Sequence, residues 1–155
     1  MILIDTNPMA ASVIEQGEWP AVGRRAQAEG VPSMVATIAP EMLTGTGRLG
    51  SPALAAEMSD ILAEGSVAGV VGGAAALAGR PDFTTMLHAI TVPTLVLVGV
   101  DDPIYSFEIS TMTHNAIPFS KLVIVPQAEH ASIFEQPVVT DAAIAQWAAA
   151  SRIAQ

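Results

Sequence analysis

The chain has no cysteine, only three histidines, few aromatic residues and few cations. Without cysteine there is no disulfide, no thiolate nucleophile and no Cys-based zinc site, which suits a cytoplasmic location. Six Lys plus Arg against fifteen Asp plus Glu leave a formal charge of −9. That field repels phosphate, so nucleic acid and anionic membrane surfaces are not expected partners. The start, "MILIDTNP", lacks the basic opening and apolar stretch of a secretion signal. The longest small-apolar run, "VAGVVGGAAALAG" (67–79), falls short of the ~20 residues of a membrane span and holds four glycines. What is abundant is core: 51% of residues are apolar and 14% charged, the composition of a folded interior. At 155 residues the chain is one domain by length, or part of a larger one.

"ILID" (2–5) reads as a buried strand stopped by the turn cluster Thr6-Asn7-Pro8. From there to about Arg80 the chain reads as helices and loops. One helix is expected to start near Pro20 and stop at Gly30, and "TGTGRLGSP" (44–52) is expected to be a loop. Residues 53–65 place Leu54, Met58, Ile61 and Leu62 on one helical face, and 67–79 reads as a further helix whose glycines allow close packing. After "RPD" (80–82) the character changes. A helix "FTTMLHAI" leads to "TVPTLVLVG" (91–99), whose unbroken apolar core fits a strand buried on both faces. A helix near 106–116, a strand at 122–125, a loop through His130 to Gln136 and a helix from Pro137 follow. Strand alternating with helix predicts an α/β fold, with about three parallel strands and flanking helices.

Two strand ends carry ionisable groups. One runs into Gly99-Val100-Asp101-Asp102, the other into Pro126-Gln127-Ala128-Glu129-His130. In a parallel sheet both lie at one edge, where open α/β folds place ligands. A carboxylate there can hold an imidazole in one tautomer, and the imidazole can take a proton from a hydroxyl nucleophile. The plainer reading is an ordinary Asp-Asp-Pro turn and a surface histidine. His88 and His114 lack the close partners of a metal site, and "GVVGG" (69–73) lacks the Lys-Ser/Thr of a phosphate loop. No metal and no cofactor is expected.

Together, "VPTLVLVGVDDPIYS", "KLVIVPQAEHASIFEQP" and the helix between them resemble the end of an α/β-hydrolase of the esterase, lactonase and haloperoxidase type. In that family a strand runs into Gly-x-x-Asp, the next into Pro-x-x-x-His, and Glu-x-Pro begins the last helix. Gly99 to Asp102, Pro126 to His130 and Glu135-Gln136-Pro137 match in order. The resemblance is carried by residues 81–150, and only by position over 1–80. It implies three segments: an opening strand and turn (1–9), a helical cap (10–80) and the C-terminal part of the catalytic core (81–155). It implies His130 as general base and Asp102 as the acid orienting it. Asp101 is the weaker candidate, and Asp5 a further one, because some branches draw the acid from the first strand; a strand-end turn residue is the plainer reading of Asp5.

The departure from the family is the nucleophile. No Gly-x-Ser-x-Gly elbow occurs, and Ser33, Ser66, Ser106, Ser110 and Ser132 lie on no tight Gly-flanked turn. Two expectations follow. Completed by a nucleophile-bearing N-terminal half, the chain supplies acid, base and cap for hydrolysis of a small ester or lactone. Otherwise it is an inactive truncated remnant that pairs through its exposed sheet edge with a second copy, as a homodimer, or with another partner.

Overall fold

The structure is a computed structural model and describes residues 1–43 and 52–153. Most of the loop expected at 44–52 lies outside the described residues. Two compact units form: one built on Met1–Pro8 and the chain from Thr84, the other on Met9–Glu41 and the described chain up to Phe83.

The first unit is a three-stranded parallel sheet in the order β1 (Ile2–Ile4), β2 (Thr94–Gly99), β3 (Ser120–Val125). Ile4 pairs with Leu97 and Gly99 with Val125, so all three strands end at one edge. β2 lies between the others because its sequence has no polar face to present. Leu95, Val96, Leu97 and Val98 are all at most 1% exposed, each side chain contributing roughly 1.5–3 kcal/mol by leaving water. Leu97 and Val125 pack with Ala128, Ile4, Val123 and Ala143. A 3-10 helix (Thr84–Ala89) precedes β2 and stands where an α-helix is expected. Helix α5 (Phe107–Ala116) crosses from β2 to β3, and a one-turn helix α6 (Ser132–Glu135) interrupts the expected loop. Helix α7 (Pro137–Ile153) closes the chain, with Pro137 at its first turn, where a missing N–H costs nothing. The expected partial α/β sheet is what forms.

The second unit holds α1 (Val13–Glu29), α2 (Val31–Met42), α3 (Pro52–Ala63) and α4 (Val67–Ala78). Helix α1 starts seven residues before Pro20 and carries that proline inside. A capping box at Ser12 sets the true start: Glu15 N donates to Ser12 Oγ (3.1 Å) and Ser12 N to Glu15 Oε2 (2.8 Å). Val31, Val35 and Ala39 of α2 pack with Leu62 and Val70. On α3, Met58 is buried but Ile61 is half exposed, so the buried face is narrower than its spacing predicts. The close helix contact of this unit is made at Gly23 of α1, which faces Ala74 and Val71 of α4. Gly72 and Gly73 face open space, against expectation. Among the described residues no single helix is long and apolar enough to cross a membrane; α3 and α4 reach that length only as a pair bent by 97°.

Candidate active site

Three strand ends meet at the carboxyl edge of the sheet, and Gly99 decides how closely. A Cβ there would stand 2.2 Å from the carbonyl oxygen of Glu129 and 2.4 Å from that of Ala128. The backbone after β3 therefore lies directly on the end of β2, which only glycine permits. Val100 N donates to Val125 O (2.9 Å) and Asp101 N to Ala128 O (3.0 Å), so the two loops leave the sheet stitched together. This is the physical content of the Gly-x-x-Asp spacing: a residue three past Gly99 comes within reach of one five past Val125.

Asp102 and His130 are brought together. His130 Nδ1 lies 3.0 Å from Asp102 Oδ2, and the Asp102 side chain is wholly buried while that of His130 is 15% exposed. Asp102 Oδ1 accepts from Ile104 N (2.8 Å) and Tyr105 N (2.9 Å), the side-chain-to-backbone turn that aspartate favours. So Asp102 is a turn residue, as the plainer reading has it, and also the imidazole's partner. With backbone donors on one oxygen and the ring on the other, the carboxylate only accepts, so Nδ1 carries the proton and Nε2 is left as the basic nitrogen. The Tyr105 ring flanks His130 edge-on, centroids 5.5 Å apart. Asp101 is exposed and offers its backbone, not its carboxylate, to this edge.

The loop bearing His130 is fixed by the Glu135-Gln136-Pro137 segment. Glu129 N donates to Glu135 Oε2, and Gln136 Nε2 donates to Gln127 O (3.0 Å), pinning a turn where Gln127 takes φ 54°. Burial pushes the Glu135 carboxyl above its ordinary range, and the charges of Glu129, Asp5 and Asp102 add to the rise. Its Oε1 is buried with no hydrogen-bond partner.

Asp5 reaches the same edge and takes other partners. Its Oδ1 accepts from Gly99 N (3.2 Å), and its Oδ2 from Ser132 N (3.2 Å) and Ser132 Oγ (2.7 Å). Burial raises its pKa to about 6 against those three hydrogen bonds, with Asp102 contributing further. The buried Ser132 is thus held by Asp5, while Ser66 caps α4 and Ser33 donates to Gly30 O. His88 is exposed, and His114 Nδ1 meets Ser120 Oγ (2.7 Å) at the end of α5. Sequence reading missed the roles of Ser132, Tyr105 and Glu135. Ser132 lies 127 residues from Asp5, a separation at which no periodic signal survives, whereas Glu135 has a signal in its place two residues before Pro137.

No protein-family profile matches the chain. The chain is 30% identical over 128 residues to 3-oxoadipate enol-lactonase 2 of Acinetobacter baylyi, covering 83% of this chain and 47% of that protein. A thermophilic esterase from Thermogutta terrifontis superposes with a TM-score of 0.90 at 29% identity, over 97% of this chain and 55% of the esterase. The enol-lactonase of Burkholderia xenovorans LB400 superposes with a TM-score of 0.83 at 20% identity, over 96% and 55%, a likeness of fold. The chain spans about half the length of these relatives. The chain shares the α/β-hydrolase fold over about half the length of these relatives, and within that fold it carries the strand ends that bear Asp102 and His130.

Proposed function

We propose that residues 1–155 supply the acid and the base of a serine hydrolase acting on a small ester or lactone, the nucleophile coming from chain outside these residues. The observation that carries this is the buried Asp102 carboxylate on His130 Nδ1 at the carboxyl edge of the sheet. In the reaction, Nε2 takes the proton of a serine hydroxyl as its oxygen attacks the acyl carbon. The imidazolium then returns that proton to the leaving alkoxide. Water deacylates the serine by the same path, and Asp102 stabilises the imidazolium each time it forms. The lactonase and esterase relatives support this substrate class. The helical unit, which follows the first strand where the family inserts its cap, would set the substrate.

The test joins this chain to the part of the Thermogutta esterase that its superposition leaves uncovered and assays p-nitrophenyl ester hydrolysis. The expected result is activity that falls roughly 10²–10⁴-fold with His130→Ala and strongly with Asp102→Asn. A folded, active chimera indifferent to His130→Ala would overturn the reading.

One observation favours a second reading, an association module. Met1 O and Asp5 N bond to β2, so by the strand's period of two the backbone groups of Ile2 and Ile4 face away from the sheet. That open edge fits a strand from the completing segment, or from a second copy.

A further inference from the structure

We propose that Asp5 is a positioning residue for the His130–Asp102 pair: its carboxylate fastens the turn leading to Asp102 and the turn following His130 to the end of β1. The inference rests on the reading of that pair as acid and base. Gly99, three residues before Asp102, and Ser132, two after His130, donate to the two oxygens of one side chain. These contacts bridge 94 and 127 residues of sequence. Asp5 sits at φ 47°, in the left-handed region that a non-glycine residue adopts at a cost. It also remains a buried carboxylate although burial favours its neutral form.

A turn residue alone would need none of this. Asparagine tolerates the left-handed region as well as aspartate does, so Asp5→Asn preserves the turn and changes only the acceptor. Its amide has one oxygen and one NH₂, and all three partners of Asp5 present donors. Whichever way the amide turns, either Gly99 N or Ser132 N meets a donor and is released.

The experiment records long-range ¹H–¹⁵N spectra of the imidazole nitrogens in the ¹⁵N-labelled chain at pH 8, above the ordinary histidine range. In the wild-type chain His130 is expected mainly as the Nδ1-protonated tautomer. In Asp5→Asn the ratio of that tautomer to the Nε2 form is expected to fall about fivefold or more, the effect of one weakened hydrogen bond. Ser132→Ala, which cuts the tie on one side and keeps the carboxylate, should move it the same way by less. His114, held by Ser120 at the opposite end of α5, should be unchanged in both and reports on the fold. Asp102→Asn separates the two ideas. If it abolishes the Nδ1 preference while Asp5→Asn and Ser132→Ala leave it intact, Asp5 is a turn residue and the proposal is overturned alone. If Asp102→Asn also leaves the preference intact, the acid–base reading fails and takes the proposal with it. Should Asp5→Asn not fold, Ser132→Ala decides by the same criterion.

Discussion

At Gly99 a hydrogen in place of a methyl group lets one loop lie on another. The atoms a Cβ would meet at 2.2 and 2.4 Å are backbone carbonyl oxygens, which cannot swing aside as a side chain could. Gly99→Ala is therefore expected to cost about 3 kcal/mol or more, the upper end for overpacking. Urea unfolding would show it, and an unchanged midpoint would mean that the loops separate freely. Asp5 carries a pH prediction whose sign is opposite to that of a salt-bridged carboxylate. Its folded pKa of about 6 lies above the ordinary value of 3.8, chiefly through burial. Between those pH values the folded chain binds the proton that the unfolded chain has released, so stability falls as pH rises through this window. Relative to Asp5→Asn, in which residue 5 does not titrate, the wild-type chain should lose up to roughly 3 kcal/mol from pH 4 to 7. Glu135 titrates in both chains and cancels only in part, because the Asp5 charge that helps to raise it is absent from Asp5→Asn. A stability gap that stays flat or widens in favour of the wild type over this range would contradict the assignment.

Helix α1 shows where an element escapes sequence reading. Its proline carries a start signal, whereas the start is the Ser12–Glu15 box, visible in the sequence as Ser-x-x-Glu. A helix with a proline in its eighth position survives because tertiary contacts outweigh propensity. Gly23 approaches α4, and Glu15 Oε1 is held by Arg80 Nη2 (2.8 Å), whose Nε also donates to Met9 O (2.8 Å). None of those long-range partners has a local signature. The strands, by contrast, were legible to within a few residues, because β2 is buried on both faces and an unbroken Thr-Leu-Val-Leu-Val has no alternative home. The candidate pair was legible for a similar reason: the sheet fixes where strand ends lie, so Asp102 and His130 need only short loops to meet. The clamp by Asp5 was not, since it depends on which of its oxygens finds which donor. On this account Ser12→Ala should cost about 1 kcal/mol, the usual value of a helix cap. Glu15→Ala should cost more, since it removes half of the box and leaves Arg80, 12% exposed, without this partner. Thermal unfolding followed at 222 nm orders the two, and the reverse order would remove Arg80 from the account.

At the scale of the molecule, no strand among the described residues pairs with the outer edge of β1. A strand with a neighbour on one side only, apolar and part-exposed at Met1 and Ile2, is a template for a further strand. Natural sheets blunt such edges with charged side chains or proline, and "MILI" has neither. Net charge of −9 works against close approach of two copies, yet it is long-ranged and screened within about 8 Å at physiological salt, whereas ladder hydrogen bonds form at contact. Without a completing segment the chain is accordingly expected to self-associate through β1, more tightly as salt rises. Ile2→Pro removes an outward N–H at the first residue of the strand, a position that tolerates proline, and leaves the bond from Leu95 N to Met1 O in place. A symmetric pair would lose that donor twice, so its dissociation constant should rise roughly tenfold or more. Sedimentation velocity over a concentration series measures it. A dimer untouched by Ile2→Pro would place the contact elsewhere, and a monomer at every concentration and salt would show that the open edge of β1 does not recruit a second copy.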